Sequence, residues 1–333
     1  MPKIVMMCWD NYYGQDIRVR PLGGIATSVI MLAEAFARRG FEVQVCNGRD
    51  DTVEYEGVIY SPLSKARKID ADLVISNNSA NHLWKVKRGV PVVWQHNRTS
   101  LSRAWKRKEL LALYWFRPHL VALSDDAREK TPDWVPYRQI HVIPHGIEPM
   151  FLKPALDTLD SRPMRAFFAS RATRNLKFAV EAWEQFVHPL LPEAEFVVCT
   201  PPSSSFPFDV AELEKHNILY KGSLQKNDLA DLINTCRVLI YPGHVNETGC
   251  QVALQAIGLG LPIITCGHGS LKNLVQPKIN GFVETEKSAY GQRIVECLTD
   301  QSLWLSLHQG ALHHPWRKSY DERAADWEKA FLG

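Results

Sequence analysis

Short runs of β-branched and other apolar residues alternate along the chain with amphipathic stretches of about 10 to 17 residues, the pattern of parallel strands joined by helical crossovers. In the first half the runs predict strands at Ile4 to Met7, Glu42 to Cys46, Leu73 to Ser76, Val92 to Gln95, Leu120 to Leu123 and Ile140 to Ile143. The clearest helix, Gly24 to Arg39, puts Ile25, Val29, Leu32, Ala33 and Phe36 on one face and closes on Arg38-Arg39-Gly40, a cationic last turn with a glycine stop. The second half repeats the scheme, with strands at Ala166 to Ala169, Glu195 to Cys199, Ile218 to Lys221, Val238 to Tyr241, Pro262 to Thr265 and Phe282 to Glu284, and helices at Leu176 to Val187, Lys226 to Thr235 and Gly249 to Gly258. After Pro315 a single helix is expected from Trp316 to Leu332, with Trp316, Tyr320, Ala324, Trp327 and Phe331 three or four residues apart.

Two open α/β sheets in series follow from this order. Pro149 to Pro163, with Pro154 between them and no apolar period, is expected to be the linker. In such sheets ligands bind beyond the carboxyl ends of the strands, which makes a cleft between two domains the expected site. Length agrees, because 333 residues exceed the roughly 250 to 300 at which one core stops growing. A chain 45 % apolar and 23 % charged is neither disordered, collagen-like nor a coiled coil.

Seven scattered cysteines without a C-x-x-C pair argue against a disulfide framework or a zinc ribbon and for a reducing, cytoplasmic compartment. No apolar stretch approaches the roughly 20 residues needed to span a bilayer. Asp70-Ala71-Asp72 imitates a D-x-D metal motif but runs straight into Leu73-Val74-Ile75, so it is taken as a polar strand start, and His313-His314 as a solvated helix end. No metal is expected.

Charge changes the picture more than composition does. The net charge of +3 divides into 22 Lys and Arg against 16 Asp and Glu up to Ala155, and 17 against 20 beyond it. The excess is local: nine basic residues face the single acid Glu109 between Lys85 and Arg117. Within that stretch Leu101 to Phe116 is expected to be one basic helix. Arg103, Lys106, Arg107 and Lys108, with the aromatic anchors Trp105 and Trp115, form a patch suited to an anionic membrane surface or an acceptor.

Two segments carry candidate chemistry. The loop Asn11 to Gly24 leads from the first strand to the first helix, and Gly23-Gly24 lets a phosphate or sugar approach the backbone at the helix N-terminus. It lacks the G-x-G-x-x-G spacing of a dinucleotide fingerprint. From Tyr241 to Pro262, a buried strand stops at Pro242, a polar loop holds Glu247, and Gly249 opens an apolar helix. That aims the N–H groups of Gly249, Cys250, Gln251 and Val252 at an anion, with Glu247 and Gln255 projecting toward the same region.

This segment resembles the signature of the retaining glycosyltransferases of family 4, which have the GT-B fold: Pro-Ser, a short loop, Glu-Gly-Phe-Gly, three apolar residues, then Glu-Ala-Met-Ala-x-Gly-x-Pro. Other segments are similar in order and spacing: Gly23-Gly24, Ser124-Asp125-Asp126-Ala127, Ile143-Pro144-His145-Gly146-Ile147-Glu148, Ser170-Arg171-Ala172-Thr173-Arg174-Asn175-Leu176 and Asn280-Gly281-Phe282. The resemblance spans nearly the whole chain. It implies two Rossmann-like domains with parallel sheets facing a central cleft: residues 1–150 for the acceptor, 164–315 for the nucleotide sugar, and a C-terminal helix, 316–333, crossing back toward the first.

The resemblance also implies roles. A nucleoside diphosphate sugar, UDP- or GDP-linked, is the donor substrate and no cofactor is called for. Arg171 and Arg174 contact the diphosphate, as do the N–H groups of Gly249 to Val252; Glu247 holds donor-sugar hydroxyls; Gln255 stands where the family's second Glu binds the ribose; Tyr220 and Gly222 lie where backbone meets the base; Gly23, Gly24 and Gly146 complete the donor set. His96, closing Trp94-Gln95-His96-Asn97, aligns with a histidine beside the transferred sugar. Gln255 departs from a carboxylate, Thr248-Gly249-Cys250 from Gly-Phe-Gly, and Asn273 from a common acid. The implied function is retaining, metal-independent hexosyl transfer to a glycan or lipid-linked acceptor for cell-surface polysaccharide or lipopolysaccharide, at the cytoplasmic face of a membrane. Two other readings compete: glycosylation of nucleic acid held by the basic patch, and a non-catalytic sugar-nucleotide-binding homologue.

Overall fold

A computed structural model of the protein describes residues 1–20, 22–97, 105, 108–157, 159–202 and 206–333. They divide into two units: Met1–Gly146 together with Ser319–Gly333, and Ile147–Lys318. In the first, the strands β1 (Lys3–Met7), β2 (Glu42–Asn47), β3 (Val53–Tyr55), β4 (Val58–Pro62), β5 (Ile69–Asn77), β6 (Val86–Gln95), β7 (His119–Ala122) and β8 (Ile140–Val142) form one sheet in the order β3-β4-β2-β1-β5-β6-β7-β8. Every pair is parallel except β3 with β4. Strand β1 shows how the sheet is covered. Ile4 and Met6 join a core with Val29, Leu32 and Phe36 of the helix Gly24–Arg38, while Val5 and Met7 point to an opposite core with Leu83, Leu113 and Val135.

In the second unit β9 (Arg165–Ala169), β10 (Glu195–Cys199), β11 (Ile218–Tyr220), β12 (Val238–Ile240), β13 (Ile263–Thr265) and β14 (Gly281–Val283) form an all-parallel sheet in the order β11-β10-β9-β12-β13-β14. Counted from its own first strand this is 3-2-1-4-5-6, the doubly wound order whose direction reverses between β9 and β12. Each strand expected from sequence is present. The hairpin β3–β4 was not expected; it turns through Glu56 and Gly57, both at positive φ (50° and 73°).

Three expectations are corrected. The stretch Pro149 to Pro163 is not a free linker: it begins with a 3₁₀ turn, Pro149–Leu152, whose Phe151 is wholly buried in the second core, and Arg162 donates to the Cys236 carbonyl at 3.1 Å. The helix expected from Trp316 starts at Tyr320. Ser319 caps it in a reciprocal box with Glu322, and Trp316 packs on the second unit's core instead. The basic helix Leu101 to Phe116 is interrupted. Lys108 has φ +55°, the buried Glu109 accepts from Ser79 Oγ at 2.8 Å, and the helix that follows is Leu110–Phe116. Arg103, Lys106 and Arg107 lie outside the described residues.

The C-terminal helix Tyr320–Phe331 buries Tyr320, Ala324 and Trp327 in the first unit's core. Trp327 meets Trp94 of β6 edge-on at 5.5 Å, and Tyr320 donates to Ser28 Oγ at 3.2 Å. Arg38 and Arg39 pair with Asp321 and Glu328 along its outer side. Trp327→Ala should therefore cost the first unit about 3–5 kcal/mol. Scanning calorimetry should then show an earlier-melting transition split from that of the second unit, and an unchanged melting profile would show that the helix is not part of that core.

Candidate functional site

The switch point of the second unit gathers the candidates. Ser170 and Arg171 follow β9, and Tyr241 and Pro242 follow β12, so the two loops leave adjacent strands in opposite directions. Tyr241 is 2 % exposed. Its hydroxyl donates to Glu247 Oε2 at 3.1 Å, and Ser170 Oγ lies 3.3 Å from the tyrosine oxygen. Arg174 Nη1 lies 3.5 Å from the same carboxylate oxygen. Glu247 is buried, and its backbone is pinned by Glu247 N–H to the His244 carbonyl and Ser270 N–H to the Glu247 carbonyl, both at 2.9 Å. A buried carboxylate with one tyrosine hydroxyl and one guanidinium is a rigid acceptor suited to hydroxyl groups. Burial pushes the Tyr241 hydroxyl well above its ordinary range, reinforced by the Glu247 charge, so it stays a donor.

Arg171 and Arg174 close one tight turn, Arg174 N–H to the Arg171 carbonyl at 2.9 Å, ahead of the helix Leu176–Phe186, with Arg171 exposed and Arg174 partly so. Asn175 caps that helix in the left-handed region at φ +67°. The helix expected to open at Gly249 begins two residues later. Cys250 is the N-cap and Gln251–Gly258 the helix, so of the four expected N–H groups those of Gln251 and Val252 belong to its first turn. Burial drives the Cys250 thiol far up, and it stays protonated. Gln255 is 3 % exposed and donates through Nε2 to Glu148 Oε1 at 3.2 Å. Glu148 in turn pairs with Lys226 Nζ at 2.9 Å. Tyr220 packs at 4.6 Å against Phe206, the rings tilted by 37°, and donates to the Thr200 carbonyl, and Gly222, at φ +66°, borders open space.

The first unit has its own arrangement at the carboxyl edge. Asn77, closing β5, donates through Nδ2 to the Met7 carbonyl at 3.1 Å, which turns its Oδ1 toward His96 Nε2, also at 3.1 Å. An amide oxygen only accepts, so the ring hydrogen sits on Nε2. His96 stacks on His145 at 5.2 Å and against Trp94 at 4.4 Å. Burial holds His96 well below the usual imidazole range and His145 down to about 3, so both rings are neutral at neutral pH. Gly146 has a packing reason, since a Cβ there would stand 2.6 Å from Tyr320 Cγ. Gly23 is the N-cap of the helix Gly24–Arg38 and both glycines are exposed. The loop before them borders an open polar cavity of about 600 Å³, lined by Asn11, Tyr13, Gln15, Asp16, Arg20 and Arg49.

Trp105 and Trp115 are both exposed, and Lys108 sits in the turn between them. The two carboxylates of Asp70-Ala71-Asp72 are occupied structurally, by Arg88 at 2.8 Å and by the Lys3 backbone N–H at 2.7 Å. His313 is exposed but His314 is buried and accepts from Trp316 N–H, so only the first is a solvated helix end. Among the described residues no three His, Cys, Asp or Glu side chains converge on a common point, and the seven cysteines are free and buried. Sequence reasoning missed Tyr241, Ser170, Asn77 and the Glu148–Lys226 pair. For the first three the signal was position, at strand ends on either side of a switch point, while Glu148 and Lys226 stand at the starts of short helical segments.

The family model described as Glycosyl transferases group 1 matches residues 158–312, and the one described as Glycosyltransferase Family 4 matches residues 22–151. No curated protein matches the chain in sequence. Among solved structures, Anabaena HepE in complex with UDP and glucose is similar with a TM-score of 0.76 at 15 % identity, over 100 % of both chains. A sucrose-phosphate synthase from Thermosynechococcus elongatus gives 0.70 at 16 %, over 100 % of this chain and 97 % of that one. WaaG, a glycosyltransferase involved in lipopolysaccharide biosynthesis, gives 0.70 at 14 %, over 99 % of this chain and 100 % of that one. At these identities the likeness establishes the fold, GT-B.

One glycine tests how firmly the Glu247 loop is set. Gly269 has φ +60°, and a Cβ there would stand 2.2 Å from the Glu247 carbonyl oxygen. Gly269→Ala should cost about 1–3 kcal/mol in urea unfolding, and an unchanged midpoint would show that the loop can shift freely.

Proposed function

We propose, for a chain that belongs to the family 4 type of glycosyltransferases, that it moves a hexosyl group from a nucleoside diphosphate sugar to a glycan or lipid-linked acceptor with retention at the anomeric carbon. The second unit takes the donor and the first the acceptor. The observation that carries this reading is Glu247: a carboxylate buried at a topological switch point, held by Tyr241 and Arg174. In this role it accepts from donor-sugar hydroxyls, while Arg171, Arg174 and the first turn of Gln251–Gly258 take the diphosphate. Gln255 accepts from the ribose, and Tyr220 and Gly222 border the base. His96 keeps the place beside the transferred sugar that the family resemblance gives it, with Gly23 and Gly24 contributing backbone to the donor.

The chemistry asks little of any side chain as nucleophile. The acceptor hydroxyl bonds to the anomeric carbon on the face from which the diphosphate departs, and its proton passes to the leaving phosphate oxygen. The negative charge that develops there is stabilised by the two arginines and the helix N-terminus, which is why a metal ion is not required in this scheme. The similar HepE structures hold UDP and UDP-glucose, which supports a UDP sugar ahead of a GDP sugar as the first donor to test.

The first unit's outward aromatic residues support a lipid-linked acceptor at the cytoplasmic face of a membrane. The helix Leu110–Phe116 buries Ala112 and Leu113 but exposes Leu111, Tyr114 and Trp115, and Trp115 lies 6.3 Å from the exposed Trp84. A surface helix that turns its large apolar residues outward, in a stretch of chain that also carries Lys85, Lys87, Arg88 and Lys108, suits an anionic bilayer interface. No helix among the described residues is long and apolar enough to cross a membrane.

Calorimetric titration should show UDP or GDP binding that weakens about 10- to 100-fold in Arg174→Ala. Glu247→Gln should bind the nucleotide nearly as well but lose transfer by about 100-fold or more. Transfer that survives Glu247→Gln unchanged would remove the carboxylate from the reaction. In flotation, vesicles containing anionic lipid should carry the protein, and the double variant Leu111→Ser/Trp115→Ser should stay behind. Retention on nucleic acid without flotation would instead favour the nucleic-acid reading of the basic patch.

A further inference from the structure

We infer that Glu148 is a positioning residue of the donor site: it fixes the amide of Gln255 so that the carbonyl oxygen alone is presented to a ribose hydroxyl, with Lys226 holding Glu148 in place. This rests on the donor-site reading above and adds to it the reason that residue 255 is an amide. Glu148 is 2 % exposed and is reached from two sides: Lys226 Nζ at 2.9 Å, and Gln255 Nε2 at 3.2 Å from Oε1 and 3.4 Å from Oε2. An ionised carboxylate only accepts, so the group of Gln255 that faces it must be the NH₂. Among the described residues no donor is bonded to Gln255 Oε1, which leaves that atom as the acceptor for a ligand.

Three elements bring the groups together. Glu148 precedes the 3₁₀ turn Pro149–Leu152, Lys226 is the first residue of the helix Lys226–Thr235, and Gln255 lies within Gln251–Gly258. The approach is close because Gly258, one turn beyond Gln255, has no Cβ: one built there would stand 2.3 Å from the Phe151 carbonyl oxygen. A glutamate at 255 would place two carboxylates about 3 Å apart with one lysine between them, an arrangement in which both do not ionise readily. The one negative charge stands on 148 and not on 255, so the pair carries one carboxylate and one amide between them.

The test is an exchange of the two groups. Affinities for UDP and GDP, and for the 2′-deoxy and 3′-deoxy analogues of whichever binds, are measured by calorimetry on the full chain. The variants are Glu148→Gln, Gln255→Glu and the double variant, with thermal melts of each. The wild type should discriminate against one deoxy analogue by about tenfold. Gln255→Glu should bind the nucleotide about tenfold more weakly, and adding Glu148→Gln should restore affinity to within about threefold. Glu148→Gln alone should reduce the ribose discrimination while keeping most of the affinity for the deoxy analogue, a change that a merely structural role would not produce. If Gln255→Glu does not fold, the double variant's affinity and discrimination against the wild type decide. A Gln255→Glu variant that binds as tightly as the wild type, or a double variant no better than the single one, overturns the inference. Nucleotide binding without ribose discrimination overturns it while leaving the donor site standing, and no nucleotide binding by the wild type overturns both.

Discussion

The parallel pairing of β9 with both β10 and β12 is the constraint on which the second unit depends. A parallel strand cannot return by a tight turn, so every connection leaves from the carboxyl edge and crosses a face of the sheet. Where the order reverses, the loops after β9 and β12 part and leave a gap that no crossover fills. Ser170, Arg174, Tyr241 and Glu247 are brought together by that reversal, although more than 70 residues separate the first from the third. The topology does the gathering, and short polar loops supply the chemistry.

Around that gap the second unit keeps its polar groups in closed pairs. Tyr241 is satisfied by Ser170 and Glu247, and Glu148 by Lys226 and Gln255. A buried carboxylate without a partner would be costly, and one with too many would have no capacity left for a ligand. The first unit follows the same rule with neutral groups, where Asn77 ties the end of β1 to His96 and burial keeps the imidazoles uncharged. The two units thus satisfy the polar groups at their strand ends by different electrostatic means.

The strands and the main crossover helices were legible in the chain because both faces of each sheet are covered, so the strands carry continuous apolar runs bounded by polar loops. What escaped was local and conformational. The β3–β4 hairpin turns on Glu56-Gly57 rather than the more conspicuous Asn-Gly, and its strands are short. The stretch after Pro149 looked like a linker because its one buried anchor, Phe151, gives no periodicity. The C-terminal helix was placed too early because Trp316 continues the aromatic spacing, although Ser319 and Glu322 mark the true start. In the site, the acid and the glutamine were visible by type and spacing and the arginines through the family resemblance, whereas Glu148 was visible only as the last letter of a motif. Its tie to Gln255 spans 107 residues and depends on the close approach that Gly258 allows.

The placement of Tyr320–Phe331 has a consequence for the order in which the molecule can be made. Residues 147–318 form one uninterrupted unit, but the first unit lacks Tyr320, Ala324 and Trp327 until everything between has been synthesised. A ribosome that delivers the amino-terminal strands early therefore delivers a sheet whose apolar face, covered in part by Gly24–Arg38, still lacks this helix. The usual vectorial order, amino-terminal domain first, is inverted here. The later-made unit is the first that can close, and the nascent β1–β8 sheet has to be kept from other partners until its missing helix arrives.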